Sequence, residues 1–190
     1  MYTIRQLRIN IEQIKTKSGI YVWSFSPNIN YQTKDLFIKS LNRITGIKTK
    51  LPRIGNVWTT KVKLISNSFR DGDKYFSEHS IKNSQIMILS EELQFRKYFA
   101  KTIKTGCEIT IPLYIGKANN LRERISDHIN ERNSTLLEDF SICKIREDEV
   151  RLRVFEEDEN IRFGNKENIS LIVEEFLQRL ADPGLVRRYG

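Results

Sequence analysis

Between Ile109 and Ile129 the chain spells out an extended run, a break and a capped helix, and this junction restricts the available folds more than any other stretch. Ile109 to Ile115 alternates and is rich in β-branched and aromatic residues, which predicts a strand. Gly116 ends that run. Asn119-Asn120 then offers a helix cap, and Glu123, three residues past Asn120, completes a capping-box-like start. On the helix that follows, Leu121, Ile125 and Ile129 recur every four residues and predict a buried stripe. Arg124 and His128, also four apart, share an edge beside it. A phenol (Tyr114), an ammonium (Lys117), a guanidinium and an imidazole are thereby brought to one strand-to-helix turn.

A second strand is expected where Gly19-Ile20-Tyr21 opens the apolar run Ile20 to Phe25. Together with Tyr114-Ile115-Gly116 it resembles the signature of the GIY-YIG nuclease superfamily. The resemblance goes further. Lys117 directly follows the second glycine, Arg124 lies seven residues later, and His128 stands one helical turn on, where the family places a histidine or tyrosine. Leu171 to Leu180 reads as an amphipathic helix ended by Ala181-Asp182-Pro183-Gly184, similar to the family's last helix, whose glutamate lies nine residues before a proline; here that is Glu174.

What the resemblance implies is an α/β (α+β) fold: a small antiparallel sheet flanked by helices, interrupted by an inserted basic subdomain. It further implies a metal-dependent endonuclease that hydrolyses phosphodiester bonds in DNA, with RNA not excluded. Tyr21, Tyr114, Lys117, Arg124, His128 and Glu174 would form its site. Phosphodiester hydrolysis concentrates charge on the equatorial and leaving oxygens, so it needs a fixed cation and a divalent ion. Arg124 suits the first role, and Glu174 the second as ligand to Mg²⁺ or Mn²⁺, since Mg²⁺ keeps several waters and takes few protein ligands. By resemblance Tyr21 is the general base or water-orienting group and Tyr114 positions phosphate. A phenol, with an ordinary pKa of about 10, serves as base only if cations such as Lys117 and Arg124 lower it. His128 is the competing base or relay. The residues alone leave both open.

Two departures from the family pattern stand out. The asparagine usual shortly after the proline is absent, with Val186 in its neighbourhood between Leu185 and Arg187-Arg188. The signature strands, normally a hairpin, are separated by an insert from about Ser26 to Lys104. The expected organisation is therefore a nuclease core of 1–25 and 105–190 and an inserted subdomain of 26–104. Charge suggests what the insert is for, because residues 22–112 hold 15 Lys or Arg against 7 Asp or Glu, while the rest of the chain holds 17 of each. The whole excess of +8 lies there, and a basic segment favours a phosphate backbone through counterion release. Lys48, Lys50 and Arg53, in the Gly- and Pro-containing stretch Thr45 to Asn56, are candidate nucleic-acid contacts. Lys61 and Lys63, on an expected strand from Val57 to Ile65, and Arg122 join them. Restriction or phage defence is the expected biology, with a homodimer or a larger defence complex as the expected assembly. The alternative is a non-catalytic nucleic-acid-binding module or a partner-dependent nuclease subunit of the same fold.

Elsewhere, Ile4 to Ile14 carries Ile4, Leu7, Ile11 and Ile14 at helical spacing and should pack on the sheet. Helices are expected at Lys34 to Leu41 and Ser90 to Ile103, and a hairpin from Phe140–Ile145 and Glu149–Phe155 around Glu147-Asp148. Glu156 to Glu159 is a consecutive acidic run without spacing that converges on an ion. No apolar run reaches membrane-spanning length and no signal-peptide pattern is present. Cys107 and Cys143, the only 2 cysteines, form neither a disulfide framework nor a zinc site, so the expected compartment is the cytoplasm, with no membrane partner.

Overall fold

The computed structural model describes residues 1–45, 85–110, 112–157 and 172–177. Its described residues divide into two compact units, the first holding residues 1–26, 107–110, 112–157 and 172–177, the second residues 27–45 and 85–106.

The first unit is built on a four-stranded antiparallel sheet in the order β1-β4-β2-β3, formed by β1 (Tyr2–Thr3), β2 (Gly19–Phe25), β3 (Pro112–Ala118) and β4 (Val150–Glu156). β2 runs through the middle and pairs with β3 and β4 over nearly its whole length. Its sequence explains that place: Ile20, Tyr21, Trp23 and Phe25 put large apolar groups on both faces, and all four are buried. Gly19 is needed at its start, because a Cβ there would run into the backbone carbonyl of Phe155 on β4.

Helices cover the sheet. α1 (Ile4–Ile9) is started by a reciprocal capping box between Thr3 and Gln6 and buries Ile4 and Leu7. A 3₁₀ turn, Ile11–Gln13, follows and Ile14 is buried behind it, so the helical spacing expected over Ile4 to Ile14 is split in two at Asn10. α4 (Leu121–Ile129) starts at Asn120, whose Oδ1 accepts the Glu123 N–H at 3.2 Å, and buries the expected stripe of Leu121, Ile125 and Ile129.

Two sequence expectations need correction. Phe140–Ile145 is not a strand: α5 (Leu136–Ile142) takes its first half, burying Leu136, Leu137 and Phe140, with Cys143 buried at the cap. Its end is a left-handed cap, with Lys144 at φ 60° and the Ile145 N–H donating to the Phe140 carbonyl at 2.9 Å. The hairpin is therefore absent, and β4 instead pairs with β2 and with the N-terminal β1. The strand expected from Ile109 begins only at Pro112, because a helix runs through Thr110; a proline, lacking an N–H, is well placed as the first residue of a strand.

In the second unit, α2 (Lys34–Thr45) extends beyond the helix expected at Lys34 to Leu41, and α3 (Leu93–Thr110, in this unit through Gly106) begins after the expected Ser90 and runs past the expected Ile103. Phe37, Phe95 and Phe99 form a three-ring cluster with centroids 5.6 to 6.4 Å apart. Buried Arg96 donates to four carbonyls, those of Tyr31, Gln32, Ser90 and Glu91, at 2.7 to 3.0 Å. Its guanidinium fork thus fastens the loop before α2 to the turn before α3.

Candidate active site

Sheet register builds the first half of the site. Tyr21 lies opposite Gly116 and Trp23 opposite Tyr114, so with alternating side chains the two tyrosines share one face. Their rings are stacked with centroids 6.0 Å apart. Gly116 makes this packing feasible: a Cβ there would lie 2.5 Å from the Tyr21 hydroxyl and 2.8 Å from Cε1 of Tyr114. The Tyr21 phenol thus rests directly on the backbone of β3.

The last turn of α4 supplies the second half. His128 is buried, its ring 5.4 Å from that of Tyr21 and 5.5 Å from that of Tyr114. Nε2 lies 2.8 Å from the Tyr21 hydroxyl, and Nδ1 lies 2.5 Å from the hydroxyl of Ser134. Ser134 Oγ also accepts the Leu136 N–H at 3.3 Å, which favours its acting as acceptor toward Nδ1–H as well. Nε2 is then left to accept the Tyr21 proton. Burial, and after it the Arg124 charge, pulls the His128 pKa down to about 3, so the imidazole is neutral at physiological pH.

Arg124, one turn earlier on α4, is half-buried and hydrogen-bonds both phenols. Burial works against its charge, but the two phenols together outweigh that and raise its pKa above the ordinary guanidinium value. For Tyr21 the balance runs the other way. Burial, then the neighbouring Tyr114, pushes its pKa well above 10, and the Arg124 contact offsets this only in part. The expectation that nearby cations lower the Tyr21 pKa is thus overturned: removing a phenolate from water costs more than one guanidinium returns.

Lys117 and Glu174 form a second group one residue along β3. The backbone N–H of Lys117 donates to Glu174 Oε1 at 3.1 Å. Residues 172–177 are helical, in keeping with the helix expected from Leu171 to Leu180. Burial raises the Glu174 pKa, and the Lys117 N–H and charge oppose that rise. The phenol–imidazole–guanidinium group and the Lys117–Glu174 pair therefore meet at the Gly116-Lys117 peptide.

The remaining candidates separate. Arg122 is engaged with the N-terminal segment: Nε donates to the Ile14 carbonyl at 2.6 Å, Nη2 to the Glu12 carbonyl at 3.3 Å, and Nη1 pairs with the Glu12 carboxylate at 2.5 Å. It clamps α4 to that segment. Lys48, Lys50, Arg53, Lys61 and Lys63 lie outside the described residues, as do Val186 and the strand expected from Val57 to Ile65. Of the acidic run, Glu156 pairs with Lys15 at 2.8 Å and Glu157 accepts the Ser18 hydroxyl.

Sequence reasoning missed Ser134. It sits in an irregular loop where Glu131 and Asn133 adopt left-handed backbone, at φ 56° and 53°. The only local signal is the polar run Asn130 to Thr135 after the helix.

Among the described residues no group of three or more His, Cys, Asp or Glu side chains gathers as a metal cluster. Glu174 alone still suits a hard cation that retains water, because a carboxylate is the right donor and its partial burial leaves a negative charge that a cation would relieve. No helix among the described residues is long and apolar enough to cross a membrane. No protein-family model, curated protein or solved structure matches the chain.

Proposed function

We propose that this chain is a metal-dependent endonuclease of the GIY-YIG type that hydrolyses DNA phosphodiester bonds, with restriction or phage defence as its setting. The observation that carries the reading is the hydrogen-bonded series Tyr21–His128–Ser134, with Arg124 against the same phenol and Glu174 on the neighbouring Lys117 N–H. Packing alone does not call for it. A buried histidine and tyrosine that only filled space would be replaced at little cost by apolar residues of similar shape.

The protonation states support the following roles. Tyr21 and His128 are both neutral at rest, so Tyr21 acts as a carrier and not as a stored phenolate. As a water attacks phosphorus and the bond to the leaving oxygen breaks, the water's proton passes to the Tyr21 oxygen while the Tyr21 proton moves to His128 Nε2, and the departing oxygen takes a proton from solvent. The imidazolium so formed donates Nδ1–H to Ser134. A substrate phosphate beside Arg124 screens the charge that helps hold the His128 pKa at about 3, so binding raises the proton affinity of the acceptor when it is needed. Arg124 and Lys117 stabilise the negative charge on the equatorial oxygens. Glu174 would hold Mg²⁺ or Mn²⁺, which supplies Lewis-acid stabilisation of the leaving oxygen.

The test is supercoiled plasmid incubated with the protein and with Glu174→Ala, in Mg²⁺, in Mn²⁺ and in EDTA. Metal-dependent nicking or linearisation that is lost in the variant supports the reading. Absence of cutting by both proteins, with DNA binding intact, would replace it with the binding-module or partner-dependent alternative.

A further inference from the structure

We propose that the face of α3 carrying Lys97, Lys101 and Lys104 is a docking surface for the phosphate backbone of DNA. This deepens the nuclease reading and rests on it for the choice of polyanion. The three lysines recur at i, i+4 and i+7, occupying about 60° of the helix circumference at 3.6 residues per turn. All three are exposed or nearly so along the helix, and no ion pair engages any of them among the described residues. Acids are absent from Leu93 to Cys107; Glu108, next along the row, is tied to the Ser26 hydroxyl at 2.6 Å.

A helix face that is merely solvated usually mixes charge signs at i, i+4. Here like charges stand at i, i+4 (Lys97 and Lys101) and i, i+3 (Lys101 and Lys104), pairs that destabilise a helix, while the one acid in the row, Glu108, is held by the Ser26 hydroxyl. Folding gains nothing from that arrangement, whereas a polyanion relieves it. Lys97 to Lys104 spans about 10.5 Å of helix rise, long enough to lie along a few phosphates of one DNA strand at ~3.4 Å of axis per charge. Beside the row Tyr98 is 70% exposed, although the other side of the same helix buries Arg96 and Ala100. Its ring offers a flat face to sugars or bases.

The experiment is fluorescence anisotropy with a 20-base-pair duplex in EDTA across a KCl series. It compares the full-length protein, K97Q/K101Q/K104Q, Y98A, and a control, R5Q/K39Q/K144Q, that removes the same charge from positions elsewhere; circular dichroism confirms folding of each. Expected are a fall of about 2.7 in the slope of log K against log salt for the α3 variant, a fall under about 1 for the control, and a loss of about fivefold or more for Y98A. An unchanged slope, or an equal fall in the control, overturns the surface. So does tighter binding to phosphatidylserine-containing vesicles than to the duplex. Plasmid cleavage separates the two claims. Cutting with an unmoved slope refutes the surface and leaves the nuclease reading, whereas an α3-dependent slope without Glu174-dependent cutting refutes the nuclease reading and leaves the surface.

Discussion

Replacing Gly116 by alanine adds one methyl group to β3 at the point where the Tyr21 phenol rests on it. The new Cβ would stand 2.5 Å from the Tyr21 hydroxyl, 2.6 Å from Cζ and 2.8 Å from Tyr114 Cε1, so the Tyr21 ring must withdraw by about 0.9 Å to reach an ordinary contact of 3.4 Å. The Tyr21 ring has little room to yield, since it is 1% exposed and borders His128 and Tyr114. Overpacking of this kind costs about 1–3 kcal/mol of stability. A shift of that size also takes the hydroxyl out of line with His128 Nε2, and a misplacement near 1 Å costs about 10²-fold in rate. Urea unfolding and plasmid nicking, run on the same preparation, read the two effects. The expected result is a folded Gly116→Ala protein, destabilised by about 2 kcal/mol, with nicking reduced about 100-fold. Gly19→Ala differs because its clash is with the Phe155 backbone carbonyl, which can move only with β4; stability should suffer there first. Wild-type nicking by a folded Gly116→Ala protein would refute the role given to the Tyr21–His128 contact.

Three further outcomes follow from the same geometry. Ser134→Ala removes the acceptor for His128 Nδ1–H and should lower kcat about tenfold with KM little changed, roughly the 1.4 kcal/mol of one lost hydrogen bond; ¹⁵N NMR should show a mixed His128 tautomer, Ser134→Thr should restore both, and an unchanged tautomer would count against the positioning role. His128 is held neutral in the fold, with its pKa lowered from 6.5 to about 3, so between these values the unfolded chain binds the extra proton. Stability should therefore fall as pH drops from 6.5 toward 3, by up to about 1.4 kcal/mol per pH unit from this group, and chemical unfolding of His128→Gln should lack that component. Arg96→Ala leaves four carbonyls without their shared donor and should cost the second unit about 3 kcal/mol by urea unfolding; Arg96→Lys should recover little, because an ammonium lacks the planar fork.

The parts of the molecule that can be read in advance are those fixed within one or two turns of chain. The Asn120 cap, the Leu121–Ile125–Ile129 stripe and the apolar run of β2 each follow from residues a few places apart, and all are present. Phe140–Ile145 misleads because Phe140 and Ile142 fit a period of two as readily as Phe140 and Cys143 fit helical spacing over so short a run; burial of Leu136 and Leu137 decides for the helix. β1 gives no signal, since two residues hold no period, and its pairing depends on Leu152 and Arg151 far along the chain. Arg122 reads in sequence as one more surface cation, yet its partners are carbonyls of a segment more than a hundred residues earlier.

In the candidate site, residue types are legible while protonation is not. Tyr21, Arg124 and His128 each suggest an ionisable role, and sequence reasoning expects the cations to prevail over the phenol. Burial is a property of the packed sheet and helix, and it acts on every member of the group at once: it suppresses the phenolate, keeps the imidazole neutral and works against the guanidinium as well. Arg124 alone retains its charge there, because the two phenols direct their dipoles at it. One fixed cation beside two neutral, hydrogen-bonded groups is a resting state that suits the proposed phosphodiester site. It would attract the anion, carries no competing negative charge from Tyr21, and has the Tyr21–His128 contact already aligned for a single proton to leave.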